Sequence, residues 1–398
     1  MLLKNCSYIV TQDTYRTILR NKDISIQGNR IFSIGDDLAD PGPVIDCSHK
    51  IVMPGLINTH THLGMHSLKG ICDDETLFRW LEIVNAEEDK LSMEEVLMNT
   101  REGVIESIRS GTTTVYDSYK FGRERVKVFL DMGVRAFVSS TVQVKEDIRH
   151  VERLLDTCNG TGLVRPIVAG HSPYRCKKEV LELIRDISRK YNLIRRIHIA
   201  ETKKEMEDTI AETGMSSIRY LDSFGFLGPR ALLVHSIWID DEEVDIIAKR
   251  GASVSHNPIS NMKLAAGNVA PVVKMLERGI HVGLGTDSVA SNNDLDMFEE
   301  LKVTALIHKH HNCDPKAMTF QKVVDMATLH GAKCLGLTDV GSIEEGRIAD
   351  IITLDLRGMT PIRNVVSNIV YCANGNNVCE SIIDGRLIMR DKRILSME

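Results

Sequence analysis

No Cys-x-x-Cys pair occurs among the nine cysteines, which are scattered and odd in number. That spacing argues against a sulfur-ligated structural metal site and against a disulfide framework; it is the pattern of reduced, mostly buried cytosolic thiols. An excess of basic charge is also missing. The formal charge is −6 and the pI about 6.2, so neither nucleic acid nor a membrane is an expected partner. The one basic cluster, Arg185 to Arg196, is interrupted by Ile, Leu and Tyr at helical spacing and reads as the solvated face of a helix running into a strand. No run of 18 apolar residues exists, and Met1-Leu2-Leu3-Lys4-Asn5 opens no long apolar stretch. Neither a membrane span nor a signal peptide is therefore expected, and the cytoplasm is the expected location. Internal repeats and low-complexity linkers are absent as well.

What the chain does have is alternation. Its 398 residues suffice for one large domain with an accessory module. From residue 51 onward, short apolar runs read as strands at Ile51 to His62, Thr112 to Asp117, Val134 to Thr141, Val164 to His171, Ile194 to Glu201, Ala231 to Ile239, Ala252 to His256 and Ile280 to Asp287. Helical patterns separate them. Met93 to Ser110 opens with the capping box Ser92-Met93-Glu94-Glu95 and stops at Gly111, while Asp241 to Arg250 and Ala270 to Arg278 end at Gly251 and Gly279. Eight strands each followed by a helix is the arithmetic of an α/β fold, a parallel (β/α)8 TIM-like barrel over residues 51–345. A doubly wound open sheet is the alternative. The barrel is preferred because it brings polar strand ends from both halves of the series to one mouth.

The flanks have a different style. Residues 1–50 and the tail 346–398 alternate in short strand-like pieces, such as Asp23-Ile24-Ser25-Ile26-Gln27 and Asp350-Ile351-Ile352-Thr353-Leu354. Each is too small to close a core, so the two are expected to pair into one small β-sandwich.

The chemistry-bearing residues stand at the ends of the predicted strands. Reading each C-terminal end yields His60 and His62, His171, His198 and Glu201, His235, His256 and Asp287. In a barrel that face carries the active site. His60 and His62 are two residues apart, so in a strand their imidazoles point to one side, which suits a metal. An imidazole and carboxylate donor set suits zinc or ferrous iron, and His60, His62, His198 and Asp287 would supply the ligands and leave room for a water.

The chain resembles the amidohydrolase superfamily, in particular its 5-methylthioadenosine/S-adenosylhomocysteine deaminases and related chlorohydrolases. The resemblance rests on Pro-Gly-Leu-Ile-Asn-Thr-His-Thr-His at 54–62, Gly-Thr-Thr-Thr at 111–114, His-Ser-Pro-Tyr at 171–174 and His-Ile-Ala-Glu-Thr at 198–202. Further on it includes Ser-His-Asn-Pro-Ile-Ser-Asn-Met-Lys-Leu at 255–264 and Gly-Thr-Asp at 285–287. It implies a hydrolase with one divalent metal ion, Zn2+ or alternatively Fe2+, held by His60, His62, His198 and Asp287. Binuclear relatives bridge two metals through a lysine on strand 4, and here that strand ends in His171 with no lysine. It further implies that Glu201 shuttles protons to the ring nitrogen and leaving amine, with His235 and Asp287 managing the attacking water. Glu88, Arg135, His171 and Glu201 would contact the substrate, with Glu87 an alternative to Glu88 and conformational support after a helix the alternative for Arg135.

The implied reaction is hydrolytic deamination of a small molecule, an aminated purine and foremost an adenosine derivative, by a homo-oligomeric enzyme. Hydrolysis of another aromatic amine or halide, such as a guanine, pterin or triazine, is the alternative. A non-catalytic assembly protein on the same barrel is the remote one, since such a protein would be free to lose ligands that this chain keeps. Three places depart from the family pattern: the loop Gly64-Met65-His66-Ser67-Leu68-Lys69-Gly70, the short segment Val142 to Arg149, and Ser288 after the aspartate.

Overall fold

The structure is a computed structural model and describes residues 1–139 and 141–397; Ser140, inside the predicted third strand, lies outside the described residues. Ten parallel strand segments form the largest sheet. They amount to eight strands, because the third (Arg135–Ser139 and Thr141–Val142) and the fourth (Val164–Pro166 and Val168–Gly170) are each broken in two. Both halves of strand 3 pair with strand 4. Around the ring follow strand 5 (Arg195–Ile199), strand 6 (Ala231–His235), strand 7 (Ser253–His256) and strand 8 (Val282–Leu284). Strand 8 returns to strand 1 (Leu56–Thr61) through Leu284 and Asn58, and strand 1 pairs with strand 2 (Thr112–Ser118), which pairs with strand 3. The sheet therefore closes, and the open doubly wound alternative is excluded. All seven residues of strand 2 are buried, as expected for strands covered on both faces.

The predicted run Ile51 to His62 is two strands. Lys50–Pro54 pairs antiparallel with Ile351–Asp355 and parallel with Tyr8–Val10 in a seven-stranded sheet; only after Gly55 does Leu56–Thr61 enter the barrel. A Cβ at Gly55 would stand 2.1 Å from the Thr113 hydroxyl oxygen, so glycine is required where the chain passes from one sheet to the other. Both strands are buried, and nothing in the apolar pattern marks the break. Residues 51–54 thus pair with the smaller sheet, beyond the expected boundary at 50. That sheet and a four-stranded one (Arg30–Gly35, Lys22–Gln27, Leu2–Cys6, Val44–Asp46) share a core of Leu3, Ile9, Ile24, Ile45, Val52, Ile351 and Ile382, which joins both ends of the chain.

Arg135 belongs to this junction and is a correction to the substrate-contact reading. It is the first residue of strand 3, at the end opposite the mouth, and does not line the cavity there. Its Nε and Nη2 donate to Asp350 at 2.7 and 3.1 Å, and Nη2 donates to Asp384 at 3.2 Å. Removing one partner from a buried ion pair leaves an uncompensated charge, so Arg135→Ala is expected to lower unfolding free energy by about 3–5 kcal/mol. Urea titration measures that loss. The substrate KM of the folded fraction should stay at the wild-type value, whereas a substrate contact would raise it.

The basic cluster is likewise only partly a solvated face. Arg189 is exposed, but Arg196 is fully buried inside the barrel, because strand 5 points Arg196 to the same side as His198.

Candidate metal centre and active site

The barrel brings His60, His62, His198, His235, Glu201 and Asp287 to one mouth, where all but His60 line a cavity of about 770 Å3 together with His171 and Glu88. His60 Nε2 lies 3.2 Å and His62 Nε2 3.4 Å from Asp287 Oδ1, and His198 Nε2 lies 3.3 Å from His60 Nε2. Ligand atoms held at about 2.1 Å by one tetrahedral ion are about 3.4 Å apart, so this donor set fits a single zinc-sized cation. His60, His62 and Asp287 form one group of donors within 4.8 Å of one another, and His60, His198 and His235 form another.

Tautomers follow from the outer partners. His62 Nδ1 donates to Ser118 O at 2.5 Å and His198 Nδ1 to His171 O at 2.9 Å, which turns both Nε2 lone pairs inward. Burial, and then the Arg196 guanidinium, hold His60 and His198 well below the usual imidazole range, so both are neutral. Arg196 Nη2 itself reaches His198 Nε2 at 2.7 Å.

Strained turns aim these groups. Ala200, His235 and Asp287 have φ of 51, 74 and 61°, left-handed values that non-glycine residues rarely adopt and that concentrate at functional sites. Glu201 is held by a residue that sequence reading missed: the Glu205 carboxylate accepts from the backbone N–H groups of Ala200 at 3.0 Å and Glu201 at 2.9 Å. The signal was present, since Thr202-x-x-Glu205 has the spacing of a capping box. Thr202 does cap its helix, but the glutamate reaches past it to the turn. Burial raises Glu201, and the charge of Asp287 adds to this against the opposing pull of His235, whose Nε2 is 3.7 Å from Glu201 Oε2.

Two more orienting residues come from the short helix Pro258–Lys263. Ser260 Oγ donates to Asp287 Oδ2 at 2.8 Å, and Asn261 Oδ1 pairs with His235 Nδ1 at 2.8 Å. Their motif stood out in the sequence, whereas their roles depend on contacts across strands. Ser288 caps the turn after Asp287 by accepting from Ala290 N–H at 3.0 Å. His256 is not brought into the site: its Nε2 lies 3.1 Å from His308 Nε2 on the helix Met297–His311.

The cavity's second half is built by the helix Leu77–Glu88, whose Leu77, Trp80, Leu81 and Val84 make an apolar wall ending at Glu88. Glu87 turns away to Lys90, 2.6 Å from its Nζ, which leaves Glu88 facing the cavity. The short segment after strand 3 adds Gln143 and Asp147 to the rim.

The amidohydrolase family profile matches residues 51–388. The chain belongs to that family. It is 39% identical to the 5'-deoxyadenosine deaminase of Methanothermobacter thermautotrophicus, covering 96% of this chain and 92% of the relative. It is 36% identical to the 5-methylthioadenosine/S-adenosylhomocysteine deaminase of Thermococcus onnurineus, covering 99% and 95%. In structure it is similar to an adenosine deaminase from Xanthomonas campestris with bound zinc, with a TM-score of 0.97 and 29% identity over 100% of this chain and 94% of the other. Among the described residues of this amidohydrolase, no helix is long and apolar enough to cross a membrane. All nine cysteines are free, six of them buried, as their spacing predicts.

Proposed function

We propose that this chain is a metal-dependent deaminase of adenosine derivatives, among them 5'-deoxyadenosine, 5-methylthioadenosine, S-adenosylhomocysteine and adenosine. The observation that carries this reading is one continuous cavity joining the cluster of metal donors to a carboxylate at the end of an apolar wall. A purine fits between Glu201 and the wall, and a ribose reaches Glu88. His60, His62, His198 and Asp287 would hold a zinc ion, which when bound supplies a water ionised near neutral pH.

The protein's own groups then divide the work. Glu201, its carboxyl raised by burial, gives its proton to the ring nitrogen next to the amine-bearing carbon; the carboxylate so formed takes up the proton that His235 and Asp287 remove from the attacking water, His235 Nε2 lying 3.7 Å away, and hands it to the amino group, which leaves as ammonia. His235 and Asp287 take the proton of the attacking water from the other side, their side chains 3.9 Å apart. His171 is pushed down to about 3 by burial and by Arg175 and Arg196, so it is neutral and meets the purine as a hydrogen-bonding group without charge.

Glu88 accepts from the two vicinal hydroxyls of the ribose. A site built for that diol rejects analogues that leave its acceptor unpaired. Adenosine derivatives are therefore expected to be deaminated much faster than free adenine, and Glu88→Ala to lower kcat/KM for nucleosides about 10- to 100-fold with little change for the base. Ammonia release from a panel of purine nucleosides and bases decides the matter. Faster turnover of adenine or guanine than of any nucleoside would remove the ribose assignment and leave the metal chemistry standing.

A further inference from the structure

Strand 2 ends at Ser118, and the next residue, Tyr119, lies at the cavity wall with only 6% of its surface exposed. Its hydroxyl is buried and has no hydrogen-bond partner in good geometry among the described residues. A phenol withdrawn from water with nothing to bond to is unfavourable, and such a group in a binding cavity calls for an explanation. Glu88 lines the same cavity, and Lys120, the residue after Tyr119, donates from Nζ to Glu88 O at 3.1 Å. Burial first, and then the charge of Glu88, push the phenol above its usual range.

The ring is seated against the loop after strand 1. A Cβ at Gly64 would stand 2.1 Å from ring Cδ1 and 2.7 Å from Cε1, so the ring occupies the space that any other residue at 64 would fill. The Arg125 guanidinium lies 6.0 Å from the ring centroid. The backbone is pinned as well: Tyr119 N–H donates to Ser139 O at 3.3 Å, and Arg125 Nη2 donates to Tyr119 O at 3.0 Å. Arg125 is itself paired with Asp117, whose Oδ1 accepts from Leu63 N–H at 2.6 Å in the loop that carries Gly64. The departure of that loop from the family pattern thus has a structural counterpart, a seat for Tyr119.

We propose that Tyr119 is a positioning residue that donates its hydroxyl proton to one oxygen of Glu88 and so presents the other oxygen to the ribose diol, with Gly64 providing the space that makes this possible. The hydroxyl is shielded from the cavity, so it acts through Glu88 and does not touch the substrate. The proposal rests on the ribose reading of Glu88, and the two are separable by experiment.

Wild-type protein is first assayed with adenosine, 5'-deoxyadenosine and adenine; a preference for adenine refutes the ribose reading and takes this proposal with it. Given a preference for nucleosides, Tyr119→Phe is expected to raise nucleoside KM about tenfold with kcat within about twofold. Its thermal midpoint should stay near the wild-type value, since the ring and its packing against Gly64 are kept. The double variant Glu88→Ala/Tyr119→Phe should lose no more than Glu88→Ala alone, because both act through one carboxylate. Gly64→Ala keeps the hydroxyl but displaces the ring, and any folded Gly64→Ala protein should show the same rise in KM. An unchanged KM in Tyr119→Phe, or losses that add in the double variant, would overturn the proposal.

Discussion

Glu201→Gln is expected to keep its metal and lose a factor of about 10² or more in turnover. Glutamine preserves the volume of the side chain and leaves the backbone turn intact, because that turn is held by Glu205 through the N–H groups of Ala200 and Glu201. What it removes is a titratable oxygen in a site where burial has already raised the carboxyl toward the protonated form needed to donate. The short donor separations among His60, His62, His198 and Asp287 do not involve Glu201, so metal content should be unchanged. Elemental analysis and steady-state ammonia release on the same preparation test both halves. Near wild-type deamination by a fully metallated variant would exclude Glu201 as the proton shuttle.

The other large effect concerns the cation. One divalent ion per chain is expected, with activity abolished by chelation and restored by one equivalent of zinc. The donor geometry gathers around a single centre, since both groups of candidate ligands share His60. Strand 4 offers no lysine between Val164 and His171 that could bridge a second ion. Replacing His198 by Ala would remove a ligand whose orientation His171 O fixes, and metal content is expected to fall with activity. Two ions bound per chain with similar affinity would contradict the single-centre reading.

Much of this site was legible because periodicity and residue type coincide at the strand ends. A parallel barrel puts the C-terminal ends of all its strands at one mouth, so once the strands at 56–61, 195–199, 231–235 and 282–284 are recognised, His60, His62, His198, His235 and Asp287 are already neighbours. Glu201 follows because it stands three residues past His198.

What one-dimensional pattern could not carry was anything decided by which elements touch. Arg135 reads equally well as a substrate arginine or a support, and only the docking of the sandwich, which sets Asp350 and Asp384 against the barrel floor, gives it a partner. His256 occupies a strand end like the others, yet the helix Met297–His311 supplies His308 and draws it out of the site. The break at Gly55 was invisible because both flanking strands are buried, and burial on either side erases the change of sheet from the hydrophobic pattern. Glu205, Ser260 and Asn261 act through hydrogen bonds whose partners lie in neighbouring turns and strands. The sequence by itself determined the barrel and the gathering of candidate metal donors at its mouth, because regular backbone geometry converts spacing into direction. Tertiary structure alone decided the residues that orient them, because a hydrogen-bond partner is chosen by proximity in space and leaves no period along the chain.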